Sequence, residues 1–180
     1  MQRELTELAE EGEYITSVKW IDGTNITFGD TRNRVQIWNA ETSQNLRKIR
    51  GQGSRVCSLA PGKEPTPWAL SSGSKTGEIQ NYDVRQRNAF LSSFSSHEGE
   101  VSGLAWSADG KYLASGGNDN VVNIWSNDIG VSTDKPIHQF TDHQAGIKAL
   151  SWCPWKGAML ASGGGKSNIL MRNVNSYSKE

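Results

Sequence analysis

A glycine-rich stretch near the end of the chain has the composition of a phosphate-binding loop. The run 163–165 is three glycines, and it leads directly into Lys166 and Ser167. Such a loop requires the spacing G-x-x-x-x-G-K-[ST] between a strand and a helix, so that backbone N–H groups at the helix N-terminus meet the phosphates. Leu160 stands where the first glycine belongs, and the following NILMRNV has a strand pattern. We therefore expect no nucleotide binding.

The histidines and cysteines are the other candidates for chemistry. His138 and His143 lie five residues apart, and Asp142 is the one carboxylate beside them at metal-ligand spacing. We expect a surface His138 and a buried His143 rather than a metal site. Cys57 and Cys153 are far apart, so we expect reduced, inert thiols. No nucleophile–histidine arrangement follows from the spacing, so we expect no catalytic residue, no metal and no cofactor, and an enzyme is the least favoured class.

Composition narrows the class of protein further. The chain has 180 residues, and its 19 basic residues balance its 19 acidic ones. This balance argues against a broad nucleic-acid or acidic-membrane surface. No long apolar run predicts a transmembrane helix, and the acidic start MQRELTELAEEGEY is no secretory signal. We expect a protein of the nucleus and cytoplasm, without nucleic-acid or membrane partners.

The elements that would have to position any site form an internal repeat. A segment of alternating apolar and polar residues begins at positions 14, 55, 100 and 146, so the intervals are 41, 45 and 46 residues. Each segment is followed by two more strand patterns, and a fourth pattern lies between repeats. Alternation bounded by Gly, Ser, Asn and Asp predicts strands and turns. The segments are YITSVKW, RVCSLAP, EVSGLAW and GIKALSW, and the third patterns reach Trp38, Tyr82, Trp125 and Arg172.

A period in the forties, four strands per unit and a near-terminal Trp are typical of the WD-repeat β-propeller. We therefore predict an all-β fold of about four propeller blades. The whole chain, residues 1–180, is then one partial propeller domain. Its repeats are predicted at roughly 14–54, 55–98, 99–144 and 145–175.

The third repeat is the most complete of the four. A tight-turn carboxylate can accept a hydrogen bond from a histidine, which satisfies polar groups inside a blade. We therefore expect these residues to be structural rather than catalytic. The predicted blade network consists of His97, Ser115, Asp119 and Trp125.

The other repeats depart from this pattern. Arg32, Thr76 and Lys166 fall where the turn aspartate would be, and Arg172 replaces the closing aromatic residue. We expect these blades to hold their fold only with support from their neighbours.

Four stretches together resemble one family of WD-repeat proteins. They are GEYITSVKW, SSGSKTGEI, EVSGLAWSADGKYLASGGNDNVVNIW and AGIKALSWCPW. They closely resemble the Fizzy proteins, the WD-repeat co-activators of the anaphase-promoting complex (cyclosome), a ubiquitin ligase. The resemblance covers roughly residues 10–165, and WCPW and VVNIW look more like the Fizzy branch than the Fizzy-related branch.

The register of the resemblance implies an incomplete ring. The family propeller has seven blades, and this chain looks like blades two to five, with residues 1–12 a polar segment and outer strand of a missing blade. Four such blades would leave apolar faces and strand edges exposed, so we expect an open-ended, association-prone chain. The sequence contains neither a C-box nor a C-terminal Ile-Arg tail, so we expect weakened docking to the ligase.

The resemblance also implies binding sites for degron peptides. The family pocket for KEN-type degrons resembles the loop that carries Asn118 and Asn120, since side-chain amides both donate and accept hydrogen bonds. The alternative is that both asparagines serve turn geometry while Asp119 belongs to the blade network. Lys166 departs from the family pattern after its glycines, and the destruction-box groove between the first and last family blades cannot form. The groove between family blades two and three would persist between the first two repeats.

The resemblance implies a non-catalytic substrate-recognition module of the anaphase-promoting complex, acting in mitosis or meiosis. Its expected partners are subunits of that complex and degron-containing proteins such as cyclins and checkpoint proteins. Two alternatives stay open: a divergent paralogue acting as a WD-repeat scaffold or decoy, and an adaptor of a cullin-based ubiquitin ligase. The second alternative rests on a WDxR-like motif formed by Tyr82, Asp83 and Arg85.

Overall fold

The computed structural model describes residues 12–51, 53–95, 97–128, 130–131, 135–165 and 168–176. Fifteen strands form four antiparallel sheets within these ranges, together with a 3₁₀ turn at Val174–Ser176. No helix in the described ranges has the length and apolar character needed to cross a membrane. Lys166, Ser167 and most of the predicted N-terminal outer strand lie outside the described residues.

Each sheet is a meander in which consecutive strands pair, which makes it one propeller blade. Blade 1 contains β1 (Ile15–Trp20), β2 (Asn25–Asp30), β3 (Arg34–Asn39) and β4 (Gln44–Arg50). Blade 2 contains β5 (Val56–Pro61), β6 (Ala69–Ser74), β7 (Glu78–Asp83) and β8 (Phe90–Ser95). Blade 3 contains β9 (Val101–Trp106), β10 (Tyr112–Gly117), β11 (Val122–Ser126) and β12 (His138–Phe140). Blade 4 contains β13 (Ile147–Trp152), β14 (Met159–Gly164) and β15 (Ile169–Asn173).

The prediction of an all-β fold is confirmed, because the alternating segments are the first strands of the four blades. These inner strands, β1, β5, β9 and β13, line a shared cavity of about 280 Å³. Its wall is polar: Lys19, Ser58, Ser102 and Lys148 all contribute to it. In a β-strand, successive side chains point to opposite faces, which is the structural origin of the period of two in the sequence.

The hydrophobic core lies between the blades. One cluster joins blades 2 and 3, where Phe94 stacks on Trp125 with ring centroids 4.6 Å apart. A second cluster joins blades 1 and 2 around Leu59 and Leu70, and a third joins blades 3 and 4 around Ile147. Each blade therefore depends on its neighbours for the burial that stabilises it.

A glycine in the second strand of each blade allows the next blade to pack closely. A Cβ atom added at Gly73 would lie 2.6 Å from Val101 Cγ1, and one at Gly116 would lie 2.6 Å from Ile147 Cγ2. Gly29 meets Val56 in the same way. The first branched residue of β5, β9 and β13 thus fills a space left open by the absence of a side chain in the preceding blade.

We predict that Gly73→Ala and Gly116→Ala each lower the free energy of unfolding by about 1–3 kcal/mol, because the added methyl overpacks the contact between blades. Urea denaturation monitored by tryptophan fluorescence measures this loss. Gly23→Ala is the matched control, since a Cβ atom there has no neighbour within 4 Å. Equal stability of Gly116→Ala and Gly23→Ala would contradict the packing described above.

Candidate functional site

The structure brings the four residues of the blade network together inside blade 3. The Ser115 hydroxyl accepts a hydrogen bond from Trp125 Nε1 at 2.9 Å and lies 2.8 Å from His97 Nε2. His97 Nδ1 lies 3.0 Å from Asp119 Oδ2, and the same carboxylate accepts the backbone N–H of Val121. The side chain of His97 is fully buried and that of Asp119 is 10% exposed, so the network lies largely inside the blade and fastens the β10–β11 turn.

Burial sets the protonation state of the two network histidines. Loss of hydration lowers the pKa of His97, and the charge of Asp119 only partly opposes this shift. Burial also lowers the pKa of His143, and the nearby Arg172 charge adds to the effect. Both imidazoles are therefore neutral at neutral pH, which suits their hydrogen bonds to serine hydroxyls.

Blade 4 has a network of its own, built from different residues. Arg172 is buried, and its guanidinium donates to Ser162 Oγ at 2.7 Å and to Asp142 Oδ2 at 2.9 Å. His143 Nε2 lies 2.8 Å from the same Ser162 hydroxyl. The guanidinium also lies over the Phe140 ring, 4.7 Å from its centroid. The planar Arg172 group thus occupies the place of Trp125 in blade 3, so the departure from the repeat pattern does not leave blade 4 without a network.

The WDxR-like residues of blade 2 make contacts within their own blade. The Tyr82 hydroxyl is buried and donates to Gln80 Oε1 at 2.6 Å. Arg85 donates to both carboxylate oxygens of Asp83, and these hydrogen bonds lower the pKa of Asp83 to about 2. The Arg85 guanidinium lies over the Trp68 ring. The Asp83–Arg85 pair therefore closes the turn after β7.

Asn118 and Asn120 lie on the β10–β11 turn, at the end of the blades that we call the top. Asn118 is exposed, and its backbone N–H donates to the Glu100 carbonyl at 2.9 Å. Asn120 has a positive φ of 66° and its N–H donates to the Gly117 carbonyl. A short polar side chain tolerates this left-handed conformation, so Asn120 serves the turn. Asn118 is instead an exposed residue whose amide oxygen lies beside the neighbouring Gly146.

A polar cavity of about 240 Å³ opens at the same top end, between blades 1, 2 and 3. Arg55 crosses it, donating from Nη2 to Glu100 Oε2 at 2.8 Å and from Nη1 to the Tyr14 hydroxyl at 3.2 Å. Burial raises the pKa of the Cys57 thiol, so Cys57 lines the cavity as a neutral group. We call this the Arg55 cavity; it is lined by Tyr14, Ile15, Thr16, Arg55, Cys57 and Glu100.

Two polar atoms of the Arg55 cavity are buried without a hydrogen-bond partner among the described residues. They are Arg55 Nε, a donor, and Thr16 Oγ1, which can donate or accept. Buried polar atoms in native proteins are nearly always paired with protein, water or ligand. Glu100 connects this cavity to Asn118, because its side chain holds Arg55 while its backbone carbonyl accepts from Asn118.

The site residues predicted from the sequence do not include Arg55, Glu100 or Tyr14, although the repeat contains the necessary signal. Tyr14, Arg55, Glu100 and Gly146 are the first residues of the four repeat segments. Equivalent residues of successive blades lie side by side, so side chains at this repeat position meet at the top end. The contacts of Arg55 with Glu100 and Tyr14 follow from this placement.

Comparison with known proteins agrees with this fold. Residues 88–126 match the family model "WD domain, G-beta repeat". The anaphase-promoting complex subunit cdc20 of Dictyostelium discoideum is 41% identical over 170 residues, which are 93% of this chain and 33% of the relative. Cell division cycle 20.6, cofactor of APC complex, from Arabidopsis thaliana is 40% identical over 89% of this chain and 38% of its own length. The chain thus spans between a third and two fifths of the length of these two relatives.

Solved structures give the same result. A chain in the crystal structure of the mitotic checkpoint complex superposes with a TM-score of 0.86 and is 39% identical, over 97% of this chain and 52% of that chain. The computationally designed Ika4 protein superposes with a TM-score of 0.76 over 99% of its length at 22% identity, which shows the fold alone. Fold and repeat make this chain a WD-repeat β-propeller protein. Over about nine tenths of its length it is similar to the Cdc20 proteins among the WD-repeat proteins.

The two buried histidines predict a loss of stability in mild acid. Their pKa values are lowered in the folded chain, so the unfolded chain binds more protons once the pH falls below about 6.5. The free energy of unfolding should therefore be highest near neutral pH and decrease between about pH 7.5 and about pH 5.5. Urea denaturation at a series of pH values measures this slope.

The double variant His97→Gln with His143→Gln should show a smaller slope over this pH range, although it is less stable at neutral pH. His138→Gln is the matched control at a partly exposed position and should keep the slope of the unmodified chain. A slope that survives removal of both buried histidines would refute this assignment.

Proposed function

We propose that this chain is a non-catalytic substrate-recognition module of the anaphase-promoting complex, which binds degron peptides of proteins destined for degradation in the cell cycle. The observation that carries the proposal is its identity of about 40% to relatives named as subunits or cofactors of that complex, over about nine tenths of the chain. The module works by binding alone and relies on the ligase for catalysis.

The top end of the blades has the chemistry that a degron peptide requires. The Arg55 guanidinium lines the Arg55 cavity, and a cationic group there suits a peptide carboxylate or carbonyl, because charge-assisted hydrogen bonds are the strong ones. The exposed amide of Asn118 can donate to and accept from a peptide asparagine. These two residues are linked through Glu100, so one short peptide can contact both. This supports a KEN-type segment, with its Glu and Asn side chains, as the ligand.

The proposed partners follow from the same assignment. Degron-containing proteins such as cyclins and checkpoint proteins would bind the top end, and subunits of the anaphase-promoting complex would bind elsewhere on the protein. We propose that it acts in the nucleus and cytoplasm, without nucleic acid or membrane. The balance of 19 basic and 19 acidic residues supports this last point.

Titration of a fluorescent Lys-Glu-Asn peptide tests the site. We expect Arg55→Gln and Asn118→Ala each to weaken binding by about 10- to 100-fold, because each removes a hydrogen bond that involves a charged or desolvated group. A Lys-Ala-Ala peptide should bind at background level.

Asn175→Ala is the matched control, since Asn175 is an exposed asparagine paired with Tyr112 at the opposite end of the blades. It should bind the peptide like the unmodified chain. Unchanged affinity in both Arg55→Gln and Asn118→Ala would show that the peptide does not bind at the top end.

A pull-down tests binding to the ligase. If a full-length relative captures subunits of the anaphase-promoting complex and this chain does not, the role of this chain is limited to substrate binding.

A further inference from the structure

A further polar cavity lies at the end of the blades opposite the top, at the contact between blades 3 and 4. Its volume is about 330 Å³. Asp109 and Lys111, in the β9–β10 turn, line one wall. Lys156, Gly157 and Ala158, in the β13–β14 turn, line the other. We call it the Lys156 cavity. Both of these walls come from described turns of neighbouring blades, and further blades in a longer chain would adjoin other faces.

The two turns touch beside the cavity. A Cβ atom added at Gly157 would lie 2.6 Å from Asp109 Cγ, so the missing side chain of Gly157 lets the turn of blade 4 rest on the turn of blade 3. The equivalent contact between blades 2 and 3 joins Gly110 to the Glu64 carbonyl. There the β5–β6 loop spans seven residues (62–68), whereas the β9–β10 turn spans five (107–111). Next to the shorter turn the Lys156 cavity is open.

Cationic groups outnumber anionic groups in this cavity. Lys111 Nζ lies 3.7 Å from Asp109 Oδ2, and both side chains are exposed, so this ion pair is weak. Lys156 forms no ion pair with any residue that the structure describes. Two lysines and one aspartate give the cavity an excess of one positive charge. The excess favours an anionic ligand.

The aspartate limits how much negative charge such a ligand can carry. Partial burial acts against the Asp109 charge, but the Ser107 hydroxyl donates to Asp109 Oδ1 at 2.7 Å and the Lys111 backbone N–H donates to the same oxygen. These hydrogen bonds outweigh burial and lower the pKa of Asp109, so it is ionised at neutral pH. A dianion such as a phosphate group would meet repulsion at this wall, whereas one carboxylate matches the excess charge.

The backbone of the β13–β14 turn supplies further donors. Within the part of the chain that the structure describes, neither the Gly157 N–H nor the Ala158 N–H donates a backbone hydrogen bond. Both residues line the cavity next to Lys156. An anionic oxygen is a good acceptor for such groups, because hydrogen bonds with one ionised partner are stronger than neutral ones.

We propose that the Lys156 cavity binds the carboxylate of a glutamate or aspartate side chain in a segment of a partner protein. The carboxylate lies between the ammonium groups of Lys111 and Lys156, and the N–H groups of the turn donate to it. A volume of about 330 Å³ is small for a ligand cavity, which suits one side chain with its flanking backbone rather than a folded domain. The site is at the opposite end from the Arg55 cavity, so it is independent of the proposed degron recognition.

Nuclear magnetic resonance on the isotope-labelled 180-residue chain tests this site. The probe is the acetylated and amidated peptide Ala-Ala-Glu-Ala-Ala, whose one charge is the carboxylate. We expect it to shift the amide signals of Gly157 and Ala158 with a Kd on the order of 1 mM, as suits a single small group. The same peptide with glutamine in place of glutamate should leave these signals in place. Salt at about 0.5 M should weaken binding of the glutamate peptide.

Variants of the two lysines identify the binding groups. Lys111→Gln and Lys156→Gln should each weaken binding about three- to tenfold, because each removes one of the two cations. Lys63→Gln is the matched control, since Lys63 is an exposed lysine in the loop 62–68, at the same end of the blades but outside the cavity. It should bind the peptide like the unmodified chain. The amide spectrum of each variant also shows whether it is folded.

Three results would overturn the site: unchanged Gly157 and Ala158 signals with the glutamate peptide, equal shifts with the glutamine peptide, or full binding by the double variant Lys111→Gln with Lys156→Gln. A phosphoserine peptide tests the charge of the ligand and should bind more weakly than the glutamate peptide. Asp109→Asn keeps an acceptor for Ser107 but removes the negative charge, so it should bind the phosphoserine peptide more tightly than the unmodified chain does. Tighter binding of phosphoserine than of glutamate by the unmodified chain would overturn the carboxylate as ligand.

Discussion

The structure depends on one contact between blades: the branched residue that begins β5, β9 or β13 enters the space above a glycine of the preceding blade. Because Val101 and Ile147 sit within what would be a clash distance of a Cβ atom, the spacing of the sheets is set by the missing side chains of Gly73 and Gly116. The three hydrophobic clusters all lie at these contacts. No single blade buries its own apolar faces, and stability comes from stacking, as in other repeat proteins.

Inside the blades, the same polar task is performed by different side chains. Blade 3 uses His97, Ser115 and Trp125, whereas blade 4 keeps the histidine and serine but replaces the indole with the Arg172 guanidinium. A planar guanidinium can donate in its plane and stack on a ring, so it replaces an indole in both respects. Two blades of the same chain can therefore share a hydrogen-bond pattern although the donor to the serine is a different residue type in each.

The proposed peptide site follows from how the blades are placed. Arg55 opens blade 2 and Glu100 opens blade 3, yet the stacking brings their side chains to 2.8 Å. Glu100 in turn holds the backbone of Asn118. Below them, His97 bonds to Asp119 and Ser115 and so holds the turn that carries Asn118, and a turn held before a ligand arrives lowers the entropy cost of binding.

By itself the sequence determined the strands, the period and the class of fold, because alternation and turn residues act over a few neighbouring positions. It also identified the four residues that meet in blade 3, since their types and order recur in WD repeats. Only the tertiary structure decided that Arg172 stacks on Phe140 and that Arg55 meets Glu100. The Arg55–Glu100 contact joins residues 45 positions apart in sequence, and the Arg172–Phe140 contact is also between distant residues. Such contacts depend on the distance and angle between strands and blades, which packing of side chains fixes and local sequence patterns do not contain.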